Sequence, residues 1–151
     1  MVQQHGRRHT GFTLIEMMIV IVVIAILIGV LLPQFRGTQD EASIQRARSE
    51  LRTIATALES YYIHNSNAFP AALSSLTSAT PRIISTIPND PFRSGSTAYS
   101  YYMTSPYYVV FSYGPNRAAE ITAISSAGVL TGTVTDDICI TNGTPAGTSS
   151  C

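Results

Sequence analysis

Hydrophobic and polar positions divide the chain into three stretches. From Phe12 to Leu32 the residues are almost all apolar, and Glu16 is the only charge. As a helix rising about 1.5 Å per residue, this stretch would span roughly 31 Å, close to the hydrocarbon thickness of a bilayer. It exceeds the apolar core of a secretory signal, and Pro33-Gln34-Phe35-Arg36 offers no small-x-small cleavage site. A buried core helix would need cover on every side, which so short a chain does not supply. The expectation is a membrane-inserted helix. Arg7 and Arg8 precede it, while Arg36, Arg46 and Arg48 follow, so charge does not set its orientation.

After Pro33 the period changes. Ile44, Ala47, Leu51, Ile54, Ala55, Leu58, Tyr61 and Tyr62 recur at helical spacing, opposite Glu41, Gln45, Arg48, Arg52 and Glu59. This predicts an amphipathic helix ending near Asn65-Ser66-Asn67, because Phe69-Pro70 disfavours its continuation. Pro33 and Gly37 mark a kink or a meltable segment between the two halves.

From Pro81 onward the pattern is that of strands. Segments 98–103 and 107–113 flank Thr104-Ser105-Pro106 as a hairpin, and strands are expected at Glu120–Ser125 and Val129–Thr135 around Ala127-Gly128. The fold class is therefore α+β: a long N-terminal helix, apolar and then amphipathic, packed on a small antiparallel sheet. The many tyrosines read as packing on one sheet face rather than as a stacking platform.

Composition narrows the chemistry. The net charge is zero, and all nine basic residues are Arg. Without Lys there is no Schiff-base chemistry and no P-loop or kinase lysine. His5 and His9 precede the apolar run, leaving His64 as the one imidazole of the folded part. These counts point away from an enzyme, and nothing marks a nucleic-acid footprint.

The short Arg-bearing leader, Gly11-Phe12-Thr13-Leu14-Ile15-Glu16 and the apolar run with Pro33 resemble the class III signal of type IV pilins and pseudopilins. The resemblance implies cleavage by a prepilin peptidase between Gly11 and Phe12, followed by N-methylation of Phe12. It implies a single-pass inner-membrane protein with a periplasmic head, later a periplasmic or extracellular filament. The implied partners are other copies of the chain, the peptidase, the membrane, and an inner-membrane assembly platform with its ATPase. The mature chain carries seven Arg against nine acids, which gives no support for nucleic acid as a partner.

The new α-amine has a reference pKa near 7.7–8.0 and is largely protonated. A carboxylate in the membrane costs on the order of 2–3 kcal/mol at depth, which pairing with a neighbour's amine would offset. Glu16 is thus expected to set register between subunits, with snorkelling to the headgroups as the alternative.

Two further motifs narrow the family. Ile87-Pro88-Asn89-Asp90-Pro91-Phe92, with Tyr99 following, resembles the Pro-x-Asp-Pro-aromatic segment of major type II secretion pseudopilins. Ser112-Tyr113-Gly114-Pro115-Asn116 resembles their Ser-x-Gly-x-Asp-Gly turn, with Asn116-Arg117 in place of the acidic-glycine pair. Asp136-Asp137 lies where those proteins carry acidic residues of a bound calcium; a solvated acidic turn is the other reading. Cys139 and Cys151 are expected to close a C-terminal disulfide loop in an oxidising compartment, a habit of adhesive pilins.

The resulting division is a leader at 1–11, a membrane and filament-core half at 12–35, an amphipathic half at 36–66, an α/β head at 67–138 and a disulfide loop at 139–151. The function expected is that of a major-pseudopilin-like subunit of type II secretion. A surface pilin is one alternative, and a non-polymerising anchored binding domain is another.

Overall fold

The computed structural model describes residues 11–144, and for 32–38 the helical backbone alone. Residues 1–10 of the leader and Cys151 lie outside the described residues, and the expected kink at Pro33 rests on a side chain outside them too. Helix α1 covers Leu14–His64, ending where the Asn65-Ser66-Asn67 signal placed it; Ser66 and Asn67 hold positive φ. The chain divides into two units, residues 1–39 and 40–151.

In the first unit Leu14–Leu31 is long and apolar enough to cross a membrane, and none of it is buried within the chain. Leu14, Ile15, Ile19, Ile21, Ile26 and Val30 all expose well over half their surface.

The second unit is built in layers. Five strands follow the short helix α2 (Ser75–Ser78): β1 (Ser100–Thr104), β2 (Tyr107–Ser112), β3 (Ile121–Ile124), β4 (Leu130–Gly132) and β5 (Ile138–Thr141). They form two antiparallel sheets, β1-β2-β5 and β3-β4, rather than one. The β1–β2 hairpin turns at Ser105-Pro106 with Thr104 opposite Tyr107.

Strand β2 is the centre of the unit because both of its faces are covered. Tyr108 and Val110 point toward the layer of Ala47, Leu51, Ile54, Ala57 and Leu58 from the amphipathic part of α1. Val109 and Phe111, one step out of phase, pack with Ile121, Ile124, Leu130 and Cys139. A strand buried on two faces has no polar alternation, which explains the unbroken run Tyr107-Tyr108-Val109-Val110-Phe111.

Strand β5 corrects one expected boundary. Residues 139–141, expected in a terminal loop, continue a strand from Ile138 that pairs with β2 in the register Phe111–Cys139 and Val110–Ile140. The apolar trio Ile138-Cys139-Ile140 supplies the anchoring that the Gly/Thr/Ser-rich composition of the tail concealed.

Candidate functional site

Three groups of residues bear on function, and the first opens the apolar helix. Phe12 is 76% exposed. Thr13 stands just before α1, and its Oγ1 accepts from the Glu16 backbone N–H at 3.3 Å. The Glu16 carboxylate in turn accepts from the Thr13 N–H at 3.5 Å, the long end of the range. This reciprocal arrangement is a capping box, which meets two backbone donors that a helix start leaves unpaired. The sequence reading singled out Glu16 for its charge alone. The Thr-x-x-Glu spacing, a signal present in the same six residues, shows that it also starts the helix.

The second group joins the two head motifs. Asp90 is 2% exposed. Its Oδ1 accepts from the Phe92 N–H at 3.0 Å and from the Ser112 hydroxyl at 2.6 Å. Its Oδ2 accepts from the Tyr113 N–H at 3.0 Å. One carboxylate thus closes its own turn and pins the end of β2, so the Pro-Asn-Asp-Pro and Ser-Tyr-Gly segments form one structural unit. Gly114 has φ +66, and a Cβ on it would stand 2.2 Å from the Asp136 carbonyl oxygen. Glycine is required at that point for both conformation and approach.

That contact leads to the third group, a cluster of Glu120, Asp136 and Asp137 with ligand oxygens within 4.8 Å of one another. Asp136 Oδ2 accepts from the Asn116 N–H at 2.8 Å. Asp137 Oδ2 accepts from the N–H groups of Glu120 and Ile121 at 2.9 and 3.0 Å. The other oxygen of each aspartate, Oδ1, is buried without a hydrogen-bond partner. Burial raises the Asp137 pKa, and the nearby Glu120 and Asp136 charges push the same way. Glu120 behaves oppositely: the Thr135 hydroxyl and the Thr135 and Asp136 N–H groups hold its carboxyl down to about 2.

Two orphaned, inward-facing carboxylate oxygens beside a third carboxylate are an all-oxygen donor set suited to a hard divalent cation. Asp136 and Asp137 were singled out from the sequence and are adjacent here. Glu120 was not. Its distance along the chain hid it; only the approach of the β3 start to the 135–137 loop brings it in.

The other candidates separate. Cys139 is buried at 5% in the β2-β5 layer, and its expected partner Cys151 lies outside the described residues. Asn142, the head of an Asn-Gly-Thr sequon, has its carboxamide occupied. Its Oδ1 accepts from the Tyr108 N–H at 2.7 Å, and its Nδ2 donates to the Pro106 carbonyl at 3.0 Å. It serves as a clamp on the hairpin.

Comparison with known proteins follows the same lines. The family model for the prokaryotic N-terminal methylation motif matches residues 6–32. The type II secretion system core protein G of Klebsiella pneumoniae is 32% identical over 132 residues, covering 76% of this chain and 90% of that protein. The core protein G of Dickeya chrysanthemi is 31% identical over 128 residues, covering 73% and 80%. For that of Pectobacterium carotovorum subsp. carotovorum the identity is 37% over 68 residues, covering 45% of this chain; the match spans 43% of that relative, less than half its length. No solved structure matches significantly. An apolar N-terminal helix opening on a methylation motif, an α+β head and relatedness over most of the chain lead to one conclusion: this chain belongs to the pilin-like pseudopilin family of type II secretion system core protein G.

Proposed function

We propose that this chain is a structural subunit, a major-pseudopilin-like protein of type II secretion that acts by assembly rather than catalysis. Prepilin peptidase cuts between Gly11 and Phe12, and Phe12 becomes the methylated N-terminus. The apolar part of α1 holds the protein in the inner membrane, with the head on the periplasmic side, until an assembly platform and its ATPase transfer it into a homopolymer. The observation that carries this reading is an apolar, membrane-length helix, unburied within its own chain and led by Glu16 in the methylation-motif register. Such a surface needs either lipid or other copies of itself.

In the polymer, dispersion and close packing favour the tails, because leaving lipid for a bundle gains little ordinary hydrophobic free energy. Glu16 would pair with the Phe12 ammonium of an adjacent subunit and set the stagger, while its capping contact with Thr13 holds the carboxylate at the helix mouth. In the head, Asp136 and Asp137, together with Glu120, would hold a calcium ion through the oxygens that lack partners; bound there, the ion would tie the 135–137 loop to the start of β3.

The test is the mature protein itself. Mass spectrometry and N-terminal sequencing after co-expression with a prepilin peptidase should return N-methylphenylalanine at Phe12, and sheared material should contain polymer. A product that begins at Met1 and remains monomeric would remove the reading.

A further inference from the structure

A cleft of about 450 Å³ opens beside the Asp90 turn, lined among others by Phe92, Arg93, Ser94, Thr97, Tyr113 and Arg117. That volume falls within the roughly 300–1,000 Å³ of small-molecule sites. None of the residues lining it is acidic, and two are arginines. Asp90, the carboxylate nearest in sequence, is turned inward onto Phe92, Ser112 and Tyr113. The cleft therefore carries two positive charges that nothing in its lining offsets.

Arg93 is fixed through one arm only. Its Nη1 donates to the Ala98 carbonyl at 3.0 Å and to Ser100 Oγ at 3.4 Å, and the guanidinium lies 4.5 Å from the Tyr113 ring centroid. These neutral contacts leave the Nε–Nη2 edge, a two-donor fork, without a partner among the described residues. Arg117 is exposed, and its guanidinium makes no hydrogen bond or ion pair; among the described residues the one ion pair is Arg46–Glu50. Its backbone sits at φ +61, anchored by the Arg117 N–H on the Gly114 carbonyl at 3.0 Å. A left-handed conformation is unfavourable for a long side chain, and a departure of this kind, held by its surroundings, points to a use. Here it keeps a second fork at the rim of a cleft that already holds a fixed one.

The pair of forks selects the ligand. One guanidinium fork fills both oxygens of a carboxylate and leaves the second cation unmatched. A phosphate monoester carries three acceptor oxygens and a charge of about −1.5 to −2 at pH 7, so it can meet both forks at once. Beside the arginines the cleft offers the hydroxyls of Ser94 and Thr97 and the ring of Tyr113. Thr97 Oγ1 donates to the Ser94 carbonyl at 2.8 Å, which leaves its lone pairs to accept from an alcohol. The group that carries the phosphate is thus a short polyol.

We infer that the Arg93–Arg117 cleft binds a phosphate monoester of a small polyol, either free in solution or as the headgroup of a lipid. The site lies within the head, and its test involves neither processing nor assembly. The full chain in uncharged micelles is titrated calorimetrically with glycerol 3-phosphate in low-salt buffer free of divalent cations. Binding should be sub-millimolar, with acetate at equal ionic strength weaker by about tenfold or more. Arg117→Asn, which tolerates the left-handed backbone, should weaken glycerol 3-phosphate by about tenfold while the head melts no earlier than before. Arg117→Glu should abolish the binding heat. Short-chain phosphatidic acid added to the micelles separates the sources. Displacement of glycerol 3-phosphate assigns the site to a lipid phosphate, and a lack of displacement assigns it to a soluble ester. No heat with the wild-type chain, acetate binding as tightly as the phosphate, or full affinity in Arg117→Asn would overturn the site.

Discussion

Asp90 satisfies three donors with one carboxylate inside the head, and two of them, Ser112 Oγ and the Tyr113 N–H, come from the end of β2. Removing a buried acceptor leaves its donors unpaired, at roughly 1–3 kcal/mol each before relaxation. Asp90→Ala should therefore cost about 3–5 kcal/mol in chemical denaturation, and Asp90→Asn, which keeps one carbonyl oxygen, distinctly less. Arg117 tests the opposite sign. Its positive φ costs about 1–2 kcal/mol, while glycine there would give back roughly 0.5–1 kcal/mol in unfolded-chain entropy. Arg117→Gly should thus raise the melting temperature by a few degrees, an outcome incompatible with a purely stabilising role for that arginine. Glu120 and Asp137 make the acid limb legible. Glu120 has its pKa lowered from an ordinary 4.5 to about 2, so its contribution is full above pH 4.5 and is lost as pH falls toward 2. Asp137 is raised from 3.8, so it opposes folding progressively as pH rises above that value. Acid denaturation in chelator should lose the Glu120 contribution between pH 4.5 and 2, and Glu120→Gln should flatten that part of the curve.

At the level of elements, the head is organised around a strand that cannot face water on either side. Truncating Val110 should weaken packing on α1, and truncating Val109 should weaken the β3-β4 layer. Each fills a distinct cluster, on opposite faces of the strand. Much of this was legible in advance, for physical reasons. The β1–β2 hairpin, the end of α1 and its core-facing positions follow from period and turn chemistry, signals carried within a few residues. What escaped reading depends on separation along the chain. Strand β5 was hidden because Ile138-Cys139-Ile140 is short and gains its meaning only by pairing with β2. Glu120 joins Asp136 and Asp137 across a loop, and Asp90 meets Ser112 across the hairpin, so neither partnership leaves a local trace. The split into two sheets was missed for the same reason: adjacent strands signal hairpins but not which sheet they join. The loop carrying the acids also yields a prediction. At pH 7 calcium should raise the melting temperature of the protein, because it would relieve the repulsion among three carboxylates and supply partners for the two orphaned oxygens. Asp136→Asn with Asp137→Asn should abolish the calcium response, and an unchanged melting curve in calcium would rule out the site.

Across the whole molecule, an exposed apolar tail and a self-contained head pose different problems. Among the described residues Leu14–Leu31 is buried against nothing, so its stability is a property of its surroundings, either lipid or a bundle of other tails. Burial in lipid and burial among tails are nearly equivalent for leucine and isoleucine, and a polar group must therefore decide register. Glu16 is the only charge in the span and the second half of a capping box. These two roles can be separated by substitution. Glu16→Gln keeps a side chain that can cap the Thr13 N–H but removes the negative charge, so monomer insertion and helix content should stay normal while filament yield collapses. Thr13→Ala removes the reciprocal cap and leaves the charge; it should fray the first turn, at about 1 kcal/mol, and reduce filament yield only modestly. Equal losses from the two substitutions would mean that Glu16 acts by starting the helix. A selective loss for Glu16→Gln, in protein correctly cut before Phe12, would mean that its charge meets a cation from another subunit.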